Sequence, residues 1–370
     1  MTSCDRMPEN TLNMGISPDD EEILRFIEGA KPKIYVVGTG GSGSNTVNRL
    51  SEIKVEGATL VAMNTDAPHL VKTKSDRKLL LGKKITRGMG AGSDTKMGEE
   101  AAMESKDEIK HIIGDAQLVF VTCGLGGGTG TGSVSTILHQ AKESGSLTVA
   151  IVTLPFSSEG PTRMRNALDG LSKLKKIADT VIVIHNDKLL SVAPDMPLNM
   201  AFRVSDEILA SSAKGIVEMV TKPGLVNIDF ADLRTVLKES GYAVMGTGEG
   251  LNATDGTGRA TVALENAIKS PLLDVDMSTA KKALVNIIGG PSLTLREAES
   301  IFQEVSSRIS PNALLKWGAR IDGDMRKDAV RVMLVVSGVE FPEYTENGIK
   351  KSLIEINTNK ESIDMDEMFD

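Results

Sequence analysis

Short runs of apolar and β-branched residues recur along the first half of the chain: KIYVVG (33–38), TLVAMN (59–64), QLVFVTCG (117–124), LTVAIVTLPF (147–156) and TVIVIHN (180–186). They are apolar almost throughout instead of alternating, the pattern of strands buried on both faces. Amphipathic stretches such as 97–113 and 161–178 separate them. This alternation predicts an α/β fold, a parallel sheet covered by helices on both sides. Residues 198–221 (LNMAFRVSDEILASSAKGIVEMVT) then form one long helical pattern, stopped by Pro223-Gly224. At about 1.5 Å per residue it is roughly 36 Å long. Beyond it the pattern predicts a helix at 229–240, the segment YAVMGTG, a helix at 258–270, the run ALVNIIGG, a helix at 294–309, and strands near 313–321 and 329–338. These read as a second α/β domain with fewer, more separated strands.

The ends look different. Residues 1–16 are polar and irregular, with the composition of disorder. Ser17-Pro18-Asp19-Asp20 before EEILRFIEGA reads as a short capped helix, with acids near the positive end of the helix dipole. The expected organisation is an acidic extension at 1–30, a first domain at 31–197, a connecting helix at 198–222, a second domain at 223–340 and a tail at 341–370.

Composition narrows the function classes. The 370 residues carry a net charge of −8, which argues against a nucleic-acid-binding face. The 40% hydrophobic content with only 3% aromatics predicts a sizeable aliphatic core. Cys4 and Cys123 are far apart, so a disulfide is not expected and a reducing cytoplasm is the natural compartment. No apolar run reaches about 18 residues, the N-terminus lacks the pattern of a secretory signal, and direct membrane insertion is not expected. His69, His111, His139 and His185 show no metal-ligand spacing.

Two glycine-rich segments carry the chemistry. Gly38-Thr39-Gly40-Gly41-Ser42-Gly43 follows the first strand and precedes a helix expected to begin near Asn45, with Asp66 after the next strand. Alone, this G-x-G-x-x-G pattern with its downstream acid fits a dinucleotide-binding oxidoreductase as well as any other phosphate binder. The second segment, Gly124-Leu125-Gly126-Gly127-Gly128-Thr129-Gly130-Thr131-Gly132, lies between a buried strand and the helix SVSTILHQAK. Glycine there lets backbone N–H groups converge on phosphate oxygens, and the threonines add hydroxyls. The lysine of a P-loop is missing, which excludes that class.

GGGTGTG resembles the signature of the tubulin/FtsZ family, and the resemblance extends in order through roughly residues 30–340. It covers GGSGSN (40–45), NTDA (64–67), TRGMGAG (86–92), Pro155-Phe156 before Glu159-Gly160, Arg163, NDKLL (186–190), PGLVNIDFAD (223–232), GYAVMG (241–246) and SPLL (270–273). It is nearer to the FtsZ branch of prokaryotic division GTPases than to eukaryotic tubulin. Ser44, Ser157-Ser158, Pro161-Thr162 and His185 depart from the family pattern.

The resemblance implies a Rossmann-type GTPase domain, a long central helix and a smaller second α/β domain. It implies that Gly40, Gly41, Ser42, Gly43, Ser44 and Asn45, together with Gly126, Gly127, Gly128, Thr129, Gly130, Thr131 and Gly132, bind the nucleotide. Ala91, Gly92 and Ser93 would sense the γ-phosphate. Glu159 would hold the ribose, with Arg163 beside the nucleotide. Asn186 and Asp206 would read guanine while Phe202, one turn earlier, stacks on it. Mg²⁺ is expected with GTP, held mainly by phosphates and water. The implied catalytic residues are Asn227, Asp229 and Asp232. A helix of this length keeps them from the phosphates of their own subunit, so they would serve the next subunit of a head-to-tail filament. The tail motif IDMDEMFD (363–370) would recruit a membrane-tethering adaptor at the division site. An NAD-dependent oxidoreductase and a GTP-binding scaffold with negligible hydrolysis are the alternatives. Against the first, no histidine follows His185. Against the second, the three acidic-loop residues are present.

Overall fold

The computed structural model describes residues 32–192, 197–251, 258–273 and 275–338. Cys4, the helix expected after Ser17 and the 363–370 motif lie outside the described residues.

The strands are β1 (Ile34–Thr39), β2 (Thr59–Asn64), β3 (Arg77–Leu80), β4 (Leu118–Gly124), β5 (Leu147–Leu154), β6 (Thr180–His185), β7 (Gly241–Gly250), β8 (Lys282–Gly289), β9 (Leu314–Ile321) and β10 (Val330–Ser337). All but β3 fall where the pattern places them. β3 reads Arg-Lys-Leu-Leu at the sheet edge, where only Leu79 is buried, so it carries no apolar run. Helices are α1 (Gly40–Glu52), α2 (Ala67–Lys72), α3 (Thr95–Glu104), α4 (Lys106–Ile113), α5 (Gly128–Glu143), α6 (Pro161–Ile177), α7 (Asn186–Val192), α8 (Leu198–Thr221), α9 (Phe230–Leu237), α10 (Arg259–Ile268) and α11 (Leu295–Arg308). The single amphipathic stretch at 97–113 is two helices. Ser105 breaks them because its hydroxyl accepts from the Gly82 N–H at 3.0 Å, pinning the junction to another loop.

The ten strands lie in one sheet, in the order β3-β2-β1-β4-β5-β6-β7-β10-β8-β9. β1 to β7 pair parallel with one another, as do β8 and β9, whereas β10 runs antiparallel to β7 and β8. The strands after α8 therefore extend the first sheet through β6 and β7, which pair at Thr180–Gly241, Val181–Tyr242 and Ile182–Ala243. The first six strands have the doubly wound order, which reverses direction between β1 and β4. At such a reversal the flanking helices diverge and leave a crevice at the carboxyl ends of the strands.

Strand residues alternate between the two faces. Tyr35, Val37, Val119 and Val121 enter one buried cluster, and Val36, Phe120, Ile151 and Ile182 the other. The long helix α8 closes the second face with Leu209, Ala213, Ile216 and Val217, spaced as one helical stripe. α8 has 24 residues and spans about 36 Å.

Glycine sets how closely α3 and α5 pack. A Cβ on Gly132 would lie 2.3 Å from the Thr95 carbonyl oxygen and 2.5 Å from the Glu99 nitrogen. A Cβ on Gly98 would lie 2.2 Å from the Gly128 carbonyl oxygen. Backbone, not a flexible side chain, occupies these positions, so an added methyl forces the helices apart. Gly132→Ala is expected to destabilise the protein by about 1–3 kcal/mol. Urea denaturation checks this; an unchanged midpoint with weakened nucleotide binding would mean that Gly132 serves the ligand and not the helix contact.

Candidate functional site

β1 passes directly into α1 at Gly40, without the intervening loop that the sequence pattern suggested up to Asn45. Gly40 has φ +72°, and a Cβ there would lie 2.7 Å from the Gly130 nitrogen. Only glycine lets the two segments approach so closely in that conformation. α5 likewise begins early, at Gly128, so Gly128 to Gly132 lie within a helix.

The starts of α1 and α5 thus sit side by side at the strand reversal. Neither has a side-chain cap, and neither has an acid in its first turn. Four other described helices do carry such a cap: α2 from Asp66, α3 from Asp94, α9 from Asp229 and α11 from Thr294. Uncapped N–H groups aligned with two helix dipoles form an anion site. Gly126 has φ +101°, and a Cβ on Gly127 would meet no protein atom within 4 Å. Backbone conformation explains the first glycine, whereas packing does not explain the second.

These helix starts border a cavity of about 390 Å³. It gathers Gly41, Ser42, Asn45, Gly127, Gly128, Thr129, Gly130, Glu159, Arg163, Asn186, Phe202 and Asp206, as the sequence suggested. Gly40, Gly43, Ser44, Gly126, Thr131 and Gly132 do not line it. Ser44 is buried, and its hydroxyl accepts from Asn64 Nδ2 at 3.4 Å, so its departure from glycine points away from the cavity. Thr131 Oγ1 accepts from the Gly126 N–H at 2.8 Å and holds the glycine turn. The Thr129 hydroxyl shares a 2.6 Å hydrogen bond with that of Thr65.

Ala91, Gly92 and Ser93 do not line the cavity, but their loop rests on the start of α5. A Cβ on Gly128 would stand 3.0 Å from the Ala91 carbonyl oxygen. Ser93 adopts φ +66°, a left-handed conformation that is uncommon outside glycine. Asn166 Nδ2 donates to the Ser93 and Gly126 carbonyl oxygens, 3.4 Å each, and so ties this loop to the glycine turn.

At the other end of the cavity, α8 presents Phe202 and Asp206. Phe202 is 38% exposed and meets Phe156 edge to face at 5.2 Å, which holds its ring upright against the cavity. Asp206 Oδ1 accepts from the Ser42 hydroxyl at 3.1 Å and Oδ2 from Asn45 Nδ2 at 3.2 Å. Burial pushes its carboxyl up to about 6, although these two donors pull it down. Ser205 donates to Asn186 Oδ1 at 2.8 Å, which turns the Asn186 amide nitrogen away from that contact. Glu159 Oε1 accepts from the Phe156 N–H at 2.9 Å, and Oε2 pairs with Arg163. His69, Ser205 and Asn166 escaped the sequence reading. His69 Nε2 lies 3.1 Å from Asn45 Oδ1, a contact between α2 and α1 that no local spacing announces. Ser205 adjoins Asp206 and was the one such residue that proximity in sequence could have exposed.

Asp66 is spent on capping: its carboxylate accepts from the His69 N–H at 2.9 Å. It does not line the cavity, which removes the ribose-binding acid that the oxidoreductase alternative needs.

Asn227, Asp229 and Asp232 also lie away from the cavity, beyond the far end of α8. Asn227 Oδ1 accepts from the Gly224 N–H at 2.7 Å, and Asp229 caps α9 by accepting from the Asp232 N–H at 2.6 Å. Asp232 Oδ1 pairs with Lys316 Nζ at 2.6 Å.

The fold and this site define a doubly wound α/β protein with two uncapped helix starts at one cavity and no P-loop. Residues 33–194 match the tubulin/FtsZ family GTPase domain, and residues 241–340 match the FtsZ family C-terminal domain. The chain is 50% identical over 342 residues to cell division protein FtsZ 1 of Methanocaldococcus jannaschii, covering 92% of this chain and 93% of that one. It is 51% identical over 348 residues to cell division protein FtsZ of Methanothermobacter thermautotrophicus, covering 93% and 90%. An FtsZ dimer structure from M. jannaschii superposes with TM-score 0.83 at 51% identity, covering 89% of this chain and 95% of that one. CetZ2 of Haloferax volcanii shares the fold, with TM-score 0.75 at 21% identity over 89% of this chain and 99% of that one. The chain belongs to the FtsZ branch of the tubulin/FtsZ family, the GTPases of prokaryotic cell division.

The raised Asp206 carboxyl has a consequence for the nucleotide-free protein. The folded state holds this proton more tightly than the unfolded chain, so the associated stability is full below about pH 4 and is lost as pH rises through about 6. Asp206→Asn is expected to raise the melting temperature of the nucleotide-free protein above pH 6 and to leave it little changed at pH 4. Thermal unfolding at the two pH values checks this; an equal gain at both would assign the effect to packing and not to charge.

Proposed function

We propose that the chain binds GTP in the α1–α5 cavity and assembles head to tail into filaments of the division ring, each subunit completing its neighbour's GTPase site. The observation that carries this reading is the separation imposed by α8. Phe202 and Asp206 near its start face the nucleotide cavity, whereas Asn227, Asp229 and Asp232 follow its far end. One subunit therefore holds nucleotide and acids on opposite ends, and stacking places acids over the next nucleotide. The dimer solved for the M. jannaschii relative supports self-association within this family.

In this reading the first amides of α1 and α5 hold the phosphates, with Thr129 between them. Ala91 to Ser93 contact the γ-phosphate, Glu159 takes the ribose hydroxyls once Arg163 turns to phosphate, and Phe202 stacks on the base. Ionised Asp206 accepts the paired N–H donors of guanine, which adenine lacks, and Asn186 donates. Asp229 and Asp232 orient the attacking water, and Asn227 holds their loop. Both carboxylates lining the cavity already have partners, which fits Mg²⁺ held by phosphate oxygens and water. Among the described residues no helix is long and apolar enough to cross a membrane. An adaptor bound by residues 363–370 is the anchor we propose for a cytoplasmic ring at the division site. The domain boundaries we propose are 31–197 for nucleotide binding, 198–222 for the connecting helix and 223–340 for the domain that activates the neighbour.

Phosphate release per subunit is expected to show a concentration threshold; a flat specific activity over a hundredfold dilution would refute the shared site. Asp232→Ala is expected to bind GTP normally and hydrolyse it slowly. Guanine nucleotide affinity is expected to fall about tenfold per pH unit below about pH 6, because binding then requires Asp206 to lose its proton. Calorimetric titration at pH 7.0 and 5.0 reads this directly. Deleting residues 361–370 is expected to leave GTPase activity near normal and to abolish ring placement at the membrane in cells.

A further inference from the structure

The loop that carries the three proposed catalytic residues is sewn to the free edge of the sheet. Leu225 and Val226 N–H groups donate to the Ala319 carbonyl oxygen at 2.7 and 3.1 Å, and Ala319 N–H donates back to Val226 at 3.0 Å. Ala319 belongs to β9, the last strand in the sheet order. Three residues earlier on the same strand, Lys316 reaches Asp232 Oδ1 at 2.6 Å. β9 thus holds the start of the loop by backbone and its last acid by an ion pair.

That ion pair is poorly suited to stabilising the fold. Its side chains are 37% and 32% exposed, and pairs this open contribute little to stability. The loop geometry does not require it either, since Asp229 caps α9 and Ala319 fixes the chain without it. What it does is place one positive charge against the carboxylate that must approach a neighbour's triphosphate. A carboxylate brought to a polyanion is repelled, and a lysine carried with it cancels that repulsion and adds attraction to the phosphates.

We propose that Lys316 is a positioning residue for GTP hydrolysis and assembly: it orients the Asp232 carboxylate and supplies the charge that lets it approach the triphosphate of the adjoining subunit. This rests on the shared-site reading above. Lys316 acts through Asp232 and does not itself reach the cavity of its own subunit.

Lys316→Met and Lys316→Arg, measured beside the wild type and Asp232→Ala, test it. In about 50 mM salt, Lys316→Met is expected to raise the critical concentration for GTP-dependent assembly about fivefold, and Lys316→Arg to restore it. The gap is expected to close in about 0.5 M salt, where the Debye length falls to a few ångströms, and to be smaller with GDP, which carries less charge. Thermal unfolding of the Lys316→Met subunit is expected to match the wild type. Wild-type assembly by Lys316→Met in low salt would overturn the proposal, as would a gap that persists in high salt or a melting temperature that drops with it. Asp232→Ala separates the two levels of the argument. If it hydrolyses GTP like the wild type, the shared site itself fails. If it is slow while Lys316→Met is normal, only the role of Lys316 fails.

Discussion

Two helices begin at the same reversal of strand order, and among the described residues no side chain caps either start. A helix leaves up to four N–H groups unsatisfied at its start, and four of the described helices spend a side chain on them. α1 and α5 do not. The surrounding arrangement fits that open demand for an anion. Gly40 lets the two starts approach each other, Gly126 turns the chain between β4 and α5, and the 91–93 loop lies against the same point. Arg163 is the strong cation of the cavity lining and is paired with Glu159.

The second constraint is a length. α8 is rigid because one stripe of it is buried against the sheet along its course, so the distance between its ends is fixed at about 36 Å. Groups at the two ends cannot meet within one subunit. Glu218 near the far end is buried and paired with Arg320 of β9 at 2.7 Å, which fastens the end of the helix to the strand that carries the acidic loop. Helix, strand and loop therefore act as one piece, and any change in the tilt of α8 would be felt at Asn227, Asp229 and Asp232.

The glycine-rich signature serves two purposes that the sequence does not separate. Gly126 turns the chain with a left-handed backbone, and Gly127 borders the cavity, where a Cβ would meet open space. Gly128 and Gly132 face the 91–99 segment, where a Cβ would strike backbone atoms. A run of glycines so dense reflects a turn beside open space followed at once by a crowded helix contact.

Much was legible in the residues themselves. Unbroken apolar runs mark strands buried on both faces, because nothing polar is tolerated on either side, and all the major strands lie where those runs predict. The length of α8 and its stop at Pro223 follow from local periodicity and the missing proline N–H. The cavity residues Ser42, Asn45, Glu159, Arg163, Asn186, Phe202 and Asp206 were identified by resemblance and are brought together by the fold. What the sequence could not specify are relations between distant segments. The continuation of the first sheet into β7 rests on backbone pairing at three positions, which side-chain patterns do not record. Edge strand β3 has too little burial to leave a pattern, and the break at Ser105 depends on a contact with Gly82. His69 joins the site, and Lys316 meets Asp232, only because separate elements pack together. Local periodicity determines which segments become helix or strand. Their neighbours, and hence the raised pKa of Asp206 and the partner of Asp232, are decided by packing that exists only once the chain is folded.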